Sequence, residues 1–257
     1  MAQLAQETIE LIRKEFHRYI PQLSINCVIF RFDGESLQVP VVQPVQADIW
    51  TIPGGFVYQS EDIDVAAKRI LFEQTELDNL LLSQFGTFGS AKREFAQEIG
   101  SFVDLGFPKD LVNWISRRFV TIGYYSIVGG EQTNLQTGPF FKEVKWIEVQ
   151  KCNTLALDHA QLVSEALLSL RSALQSKPLI SSFMPDTFTI PQLQKLYEAI
   201  LGRAIDRGNF RQRILKTKIL NKIGTSREKT PNRPPILYQL DKQKYLDSLT
   251  QDVKLGF

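Results

Sequence analysis

Residues 55–77 read GFVYQSEDIDVAAKRILFEQTEL, and the fold of the first two thirds of the chain hangs on them. They follow directly on Pro53-Gly54, so the chain enters through a Pro-Gly-Gly turn. Proline presets one backbone dihedral and glycine reaches conformations closed to other residues, which makes that reversal cheap. Phe56-Val57 leaves the turn as a short β-like pair. A helix is then predicted over 61–76, where Ile63, Ala66, Ala67, Ile70 and Leu71 fall on one face at helical spacing.

Outward from this segment, the N-terminal side is β-rich. Ile25–Phe32 is an apolar run that turns at Asp33-Gly34 into a second strand near Leu37–Val42. Before it, residues 5–19 carry Ile9, Ile12, Phe16 and Tyr19 at helical spacing and predict an amphipathic helix. On the C-terminal side, strands are predicted over 80–88, Arg118–Val128 and Lys142–Val149. A helix is predicted over 158–175, with Leu162, Ala166, Leu170 and Leu174 in register. Residues 90–117 mix charges, Gly and Pro with Trp114 and Ile115, and read as a long loop with at most one helical turn. Long loops in compact domains are commonly functional. Ser176–Pro185, with two prolines, reads as a linker, which divides the chain into domains 1–175 and 186–257.

The second domain is legible from its caps. Thr189-x-x-Gln192 is a capping box, which satisfies free N–H groups at a helix start. Leu193, Leu196, Tyr197 and Ile200 form the apolar face, and Gly202 ends the helix. Asp206 can N-cap a second helix running to about Lys218, with Phe210, Ile214 and Thr217 inward. At 100° per residue, Asn209, Gln212, Arg213 and Lys216 then face outward, with Arg211 at the flank. Two β runs follow, Ile219–Ile223 and Ile236–Leu240, joined by a basic loop, Gly224–Pro235, that carries Arg227, Lys229 and Arg233. Helix, helix, then a hairpin with a basic tip is the layout of a winged helix-turn-helix, which sets its second helix in the major groove of DNA. The alternative use of such a domain is protein contact.

Composition narrows the classes. Of 257 residues, 43% are hydrophobic and 23% charged, which excludes a mainly disordered chain. No apolar run approaches the ~20 residues that cross a bilayer, so no membrane partner is expected. The N-terminus bears Glu7 and Glu10 and lacks the apolar core of a secretory signal. Two cysteines, Cys27 and Cys152, make neither a disulfide framework nor a metal-ligand spacing, and a reducing cytoplasm is the expected compartment. Two histidines, His17 and His159, exclude a histidine-rich metal site. The net charge of +2 conceals a division: from Asp186 onward there are 14 Lys/Arg against 7 Asp/Glu, while residues 1–185 hold 16 against 21. Between Arg203 and Arg233, 10 basic residues meet only 2 acids, Asp206 and Glu228. A polyanion is the natural partner of such a stretch, and a solvated surface that keeps the protein soluble is the bland reading.

Gly55–Leu77 resembles the Nudix box, the signature of hydrolases acting on nucleoside diphosphates linked to another moiety. Gly55, Glu61, Arg69, Leu71, Glu73 and Leu77 stand at the required spacings. Where the pattern has its metal-binding glutamates, however, this chain has Ile70 and Gln74, and the box glycine is Glu76, so a different helix end is expected. Hard cations need several oxygen ligands, which isoleucine and a neutral amide supply poorly. Catalysis by the usual metal-dependent route is therefore not expected, and neither a metal nor a cofactor is assigned. A degenerate Nudix domain followed by a winged helix is similar to the Nudix-related transcriptional regulators of the NrtR and AraR type. The similarity is carried by GGFV, AAKRIL, RFVTIGYYSIV, Leu155–Val163 and Phe188–Ile214. Segment 90–117 and Gln43-Pro44 depart from that pattern.

The resemblance implies an α+β protein: a Nudix-like α/β/α sandwich with a mixed sheet, then a winged helix. It implies a bacterial, cytoplasmic, dimeric regulator that binds double-stranded operator DNA and a small effector, either a sugar or a nucleotide sugar such as ADP-ribose, with a slight preference for the sugar. An active Nudix hydrolase tethered to nucleic acid is the alternative, and Ile70 with Gln74 speaks against it. A metabolite-binding protein whose winged helix docks another protein is a third reading. The effector is expected between the 54–58 loop, segment 90–117 and the 118–125 strand, with Trp50, Phe56, Tyr58, Arg118 and Tyr125 as its residues. Each has a plainer reading: the aromatics as core, and Arg118 directed to solvent. Arg69 is expected in an ion pair or a cap contact, and Asp158 as an N-cap.

Overall fold

The computed structural model describes residues 10, 14–45, 48–91, 109–129, 134–176, 183–225, 234–241, 243–245 and 247. In chain order the elements are β1 (Tyr19–Phe32), β2 (Leu37–Pro44), β3 (Gly54–Tyr58), α1 (Ile63–Thr75), β4 (Ser83–Phe88), α2 (Lys109–Ile115), β5 (Val120–Ile127), β6 (Phe141–Glu148) and α3 (His159–Ser176). They continue with β7 (Phe188–Thr189), α4 (Ile190–Leu201), α5 (Arg207–Lys216), β8 (Leu220–Thr225) and β9 (Ile236–Leu240). The chain forms two compact units, the first of residues 1–30, 38–126 and 134–166 and the second of residues 31–37, 127–133 and 167–257.

The first unit is built on a six-stranded sheet in the order β4-β5-β1-β2-β6, with β3 paired antiparallel to β1. β1 is its spine. Ile25, Cys27, Val28, Ile29 and Phe30 are fully buried, so both faces of the strand are covered, as an unbroken apolar run requires. Asp33 closes the β1–β2 turn by accepting from the N–H groups of Glu35 (2.9 Å) and Ser36 (2.8 Å). α1 buries Ala66, Ala67, Ile70, Leu71, Gln74 and Thr75. Its end does not differ as expected. Glu76 itself takes the left-handed conformation (φ 57°) that favours glycine, and its N–H reaches the Phe72 carbonyl.

Other boundaries also move. Of the helix expected over 5–19, Glu10, Lys14 and Glu15 are helical, Phe16–Arg18 is a 3-10 turn, and Tyr19 already belongs to β1; the remaining positions lie outside the described residues. Segment 90–117, expected as a long loop with one helical turn, contains the seven-residue helix α2, with Leu111 and Trp114 buried. The helix forms because those two residues, three apart, pack with Phe119 in one apolar cluster.

The second unit has α4 and α5 against the sheet β7-β9-β8. Its core holds Phe188, Leu193, Leu196, Tyr197, Ile200, Phe210, Ile214 and Ile219, and the rings of Tyr197 and Phe210 meet edge to face at 5.3 Å. The capping box is complete: Thr189 accepts from the Gln192 N–H, and Gln192 accepts from the Thr189 N–H (2.7 Å). Gly202 ends α4 in the left-handed conformation at φ 71°, and Arg171 Nε donates to Ile200 O (2.7 Å) at the same helix end. Most of the linker, residues 177–182, lies outside the described residues. Among the described residues no helix is long and apolar enough to cross a membrane.

Candidate functional site

The Nudix-box residues gather around Arg69. Its Nε and Nη2 donate to the two oxygens of Glu61 (2.9 and 2.6 Å), Nη2 also donates to the Phe56 carbonyl (2.9 Å), and Nη1 reaches Glu73 (3.1 Å). The guanidinium lies 4.4 Å from the Tyr58 ring centroid, a cation–π contact. Glu61 also accepts from the Tyr58 N–H (2.8 Å). Burial alone would raise the Glu61 carboxyl, but the Arg69 bonds and the Tyr58 N–H outweigh it and hold the group below the ordinary carboxylate range. Arg69 thus clamps the start of α1 to β3, and both glutamates that fit the box are spent on it.

The two departures are structural. Ile70 is 1% exposed and packs beneath Gly55, where an added Cβ would stand 3.3 Å from Ile70 Cγ1. Gln74 pairs with the Gly54 backbone in both directions, accepting from its N–H (3.1 Å) and donating to its carbonyl (2.6 Å). Gly54 in turn has no room for a side chain, since a Cβ would come within 2.1 Å of Asn26 Nδ2. A carboxylate at position 74 would face the Gly54 carbonyl oxygen without a proton between them. These residues do not fit a divalent cation: one is buried and apolar, one is a neutral amide with both atoms engaged, and Glu61 and Glu73 are held by Arg69. Among the described residues no three His, Cys, Asp or Glu side chains are grouped to hold a metal ion.

Beside the clamp stands an aromatic wall. Tyr19 stacks on Tyr58 (4.8 Å) and meets Phe56 (5.4 Å), and Trp114 of α2 packs edge-on against Phe56 (4.7 Å) and Phe119 (5.3 Å). Burial and the Tyr58 hydroxyl push the Tyr19 phenol well above its usual range. The structure therefore brings Phe56 and Tyr58 together through Tyr19. The other three expected effector residues have their contacts elsewhere. Trp50 lies under Lys145 of β6, with Nζ 3.7 Å from the ring centroid. Tyr125 meets Phe85 of β4 (6.4 Å), and Arg118 is exposed ahead of β5. Tyr19, Trp114 and Phe119 were not expected in the wall; the Trp114 signal was visible in sequence, but only the helical form of α2 turns it toward Phe56.

Segment 155–159 is tied by hydrogen bonds to residues 50–52. The Ala156 N–H donates to Trp50 O (2.9 Å), and the Ile52 N–H donates to Nδ1 of the buried His159 (3.1 Å). Asp158 stands just before α3, and its carbonyl accepts from the Leu162 N–H (3.1 Å). The Tyr124 hydroxyl donates to Asp64 at the start of α1 and accepts from Gln84 Nε2 (2.8 Å). Burial and then the bond to Asp64 push that phenol up to about 12.

In the second unit, Asp206 caps α5 by accepting from the Asn209 N–H (2.8 Å). Phe210 and Ile214 are buried, while Asn209, Arg211, Gln212, Arg213 and Lys216 are all exposed. Arg213 and Lys216 occupy the last turn, where the helix dipole favours cations. Lys222 of β8, absent from the expected set, is exposed as well. Arg227, Lys229 and Arg233 lie outside the described residues.

Two family models match the chain: a NUDIX domain over residues 20–166 and an NrtR DNA-binding winged helix domain over residues 180–240. The ADPR responsive transcriptional repressor NtrR of Acinetobacter baylyi is 28% identical over 232 residues, which cover 88% of this chain and 84% of that protein. The crystal structure of Shewanella oneidensis NrtR complexed with a 27mer DNA superposes with a TM-score of 0.64 at 24% identity, covering 88% of this chain and 96% of that one. A MutT/nudix family protein from Enterococcus faecalis gives 0.61 at 20% identity, covering 90% and 92%. The degenerate box, the winged helix behind it and these likenesses agree that the chain belongs to the Nudix family, among the Nudix-related transcriptional regulators of the NrtR type.

Proposed function

We propose that this protein is an effector-responsive transcriptional regulator that binds double-stranded operator DNA through α5 and the β8–β9 loop. The observation that carries the reading is the α5 surface, where Asn209, Arg211, Gln212, Arg213 and Lys216 are exposed on one short, capped helix. Arg, Asn and Gln are the side chains that pair with purine edges, and Lys with phosphates. Lys222 of β8 is exposed, and the sequence between β8 and β9 adds the basic residues Arg227, Lys229 and Arg233. The effector is of the ADP-ribose type, supported by the likeness to the ADPR responsive repressor of Acinetobacter baylyi, and this displaces the preference for a free sugar. It binds beside the Arg69 clamp, with Phe56 and Tyr58 in its wall. The domain does not hydrolyse it, because Ile70 and Gln74 replace metal-binding carboxylates. The regulator acts as a cytoplasmic homodimer on a pseudo-palindromic site, with domains 1–175 and 186–257 joined by 176–185.

The test is an anisotropy titration of the full chain on its own upstream region and on random DNA, at several salt concentrations. Affinity for the upstream site should exceed that for random DNA by about 10³ or more at physiological salt. ADP-ribose should shift the operator affinity, and a pentose should not. Equal affinity for both DNAs would remove the regulator reading.

A further inference from the structure

Glu198 stands where local chemistry argues against an acid. It occupies the last turn of α4, the carbonyl end of the helix dipole, which favours cations. It also belongs to a domain whose partner, a DNA duplex, is a polyanion. Yet one oxygen of this half-buried carboxylate, Oε1, accepts from the Ile205 N–H (2.8 Å) and from Gln194 Nε2 (3.0 Å), and Gln194 Nε2 also donates to the Ile205 carbonyl (2.9 Å). Both backbone polar groups of Ile205 are thus held by two α4 side chains one helical turn apart. Ile205 precedes Asp206, the N-cap of α5, which accepts from the Asn209 N–H (2.8 Å). A short chain of hydrogen bonds therefore runs from the end of α4 to Asn209 in the first turn of α5. The second helix needs such a tie. Its buried anchors, Phe210 and Ile214, lie along one line of the helix, so they choose the buried face but leave the helix able to rock about that line. A third fixed point at the N-terminal end removes that freedom. Recognition helices read base edges from their N-terminal residues, where hydrogen bonds tolerate little misalignment.

We propose that Glu198 is a positioning residue for operator recognition: with Gln194 it locks the α4–α5 turn at Ile205 and so sets the tilt of α5 against the bases. This rests on the reading of α5 as the DNA-facing helix. What the position requires is an acceptor oxygen rather than a charge, because both of its bonds come from N–H donors. The lock governs base contacts, which depend on angle. It does not govern the attraction of exposed cations to phosphates, which carries no sequence information.

The experiment compares the full-length protein with Glu198→Ala, Glu198→Gln and Gln194→Ala. Each is titrated by anisotropy on the upstream region and on random DNA, at several salt concentrations and below its own thermal unfolding. Glu198→Ala should bind the upstream region about tenfold more weakly, with its affinity for random DNA and its salt slope unchanged. Glu198→Gln, which keeps the acceptor oxygen, should return operator affinity to within about twofold of the parent. Gln194→Ala, which leaves the bond from the Ile205 N–H in place, should cost about threefold on the upstream region alone. A Glu198→Ala protein that melts lower yet binds the upstream region like the parent would make these bonds merely structural and overturn the inference. An equal loss on both DNAs overturns it too, as does a Glu198→Gln protein that binds no better than Glu198→Ala. Should Glu198→Ala not fold, Gln194→Ala decides by itself, and an unchanged preference for the upstream region overturns the inference. In all these outcomes the parent still prefers its upstream region and the DNA reading stands. A parent without that preference overturns both.

Discussion

Gln74 stands where the Nudix pattern has a glutamate, and its amide serves the structure. Its amide supplies one donor and one acceptor to Gly54, and no other side chain of that length matches both. Gln74→Glu should destabilise the protein by about 2–3 kcal/mol in urea titration, since a buried carboxylate would face a carbonyl oxygen. It should not confer hydrolysis of ADP-ribose with Mg²⁺ or Mn²⁺, because Ile70 remains buried; turnover above background in that variant would contradict the reading. Glu76→Gly should raise stability by roughly 1 kcal/mol, as it removes a side chain from a left-handed cap. The Glu61–Arg69 pair sets an acid limit. Glu61 titrates below its ordinary value of 4.5 when folded, so the unfolded chain binds the proton first as pH falls. The stability this pair contributes is complete above pH ~5 and is lost as pH drops through the folded value. Denaturant midpoints measured from pH 6 down to 3 should fall for the parent and fall less steeply for Glu61→Gln.

At the scale of the element, α5 is a ten-residue helix whose two buried anchors, Phe210 and Ile214, fix the direction of everything else. With one face pinned, Asn209, Gln212, Arg213 and Lys216 have no alternative but to point away from the core. Arg213→Ala should weaken operator binding by about 1–3 kcal/mol and relax preference at one base position, as read by competition with single-base variants. Lys229→Ala, in the basic loop before β9, should instead weaken all sequences alike and flatten the slope of log affinity against log salt by about one unit. If both variants bind like the parent, the interface lies elsewhere.

For the whole molecule, a regulator requires that effector and operator be coupled. Coupling is reciprocal by thermodynamic necessity: whatever factor ADP-ribose imposes on operator affinity, operator DNA must impose on ADP-ribose affinity. A factor of 5–150 is typical. Calorimetric titration of ADP-ribose into free protein and into the protein–operator complex should return the same factor that the DNA titration gives. Unequal factors would mean that the two ligands do not share one equilibrium, and a factor of one would mean that the two domains act separately.

The sequence by itself determined the features that are local. The register of Gly55, Glu61, Arg69 and Glu73, the capping box at Thr189, the Asp206 cap and the outward face of α5 all depend on spacing along one element, and spacing is written in the chain. Tertiary structure alone decided the rest, because those outcomes depend on partners distant in sequence. Segment 109–115 is helical because Leu111 and Trp114 find Phe119 and Phe56, and β7 exists because Phe188 and Thr189 find Tyr238 and Leu237 on β9. Trp50 and Tyr125, plausible beside Phe56 by composition, are carried by their strands to Lys145 and Phe85 instead. Gln74 reads as a lost carboxylate until Gly54, twenty residues away, is seen to donate one bond and accept another, the second of which a carboxylate could not make.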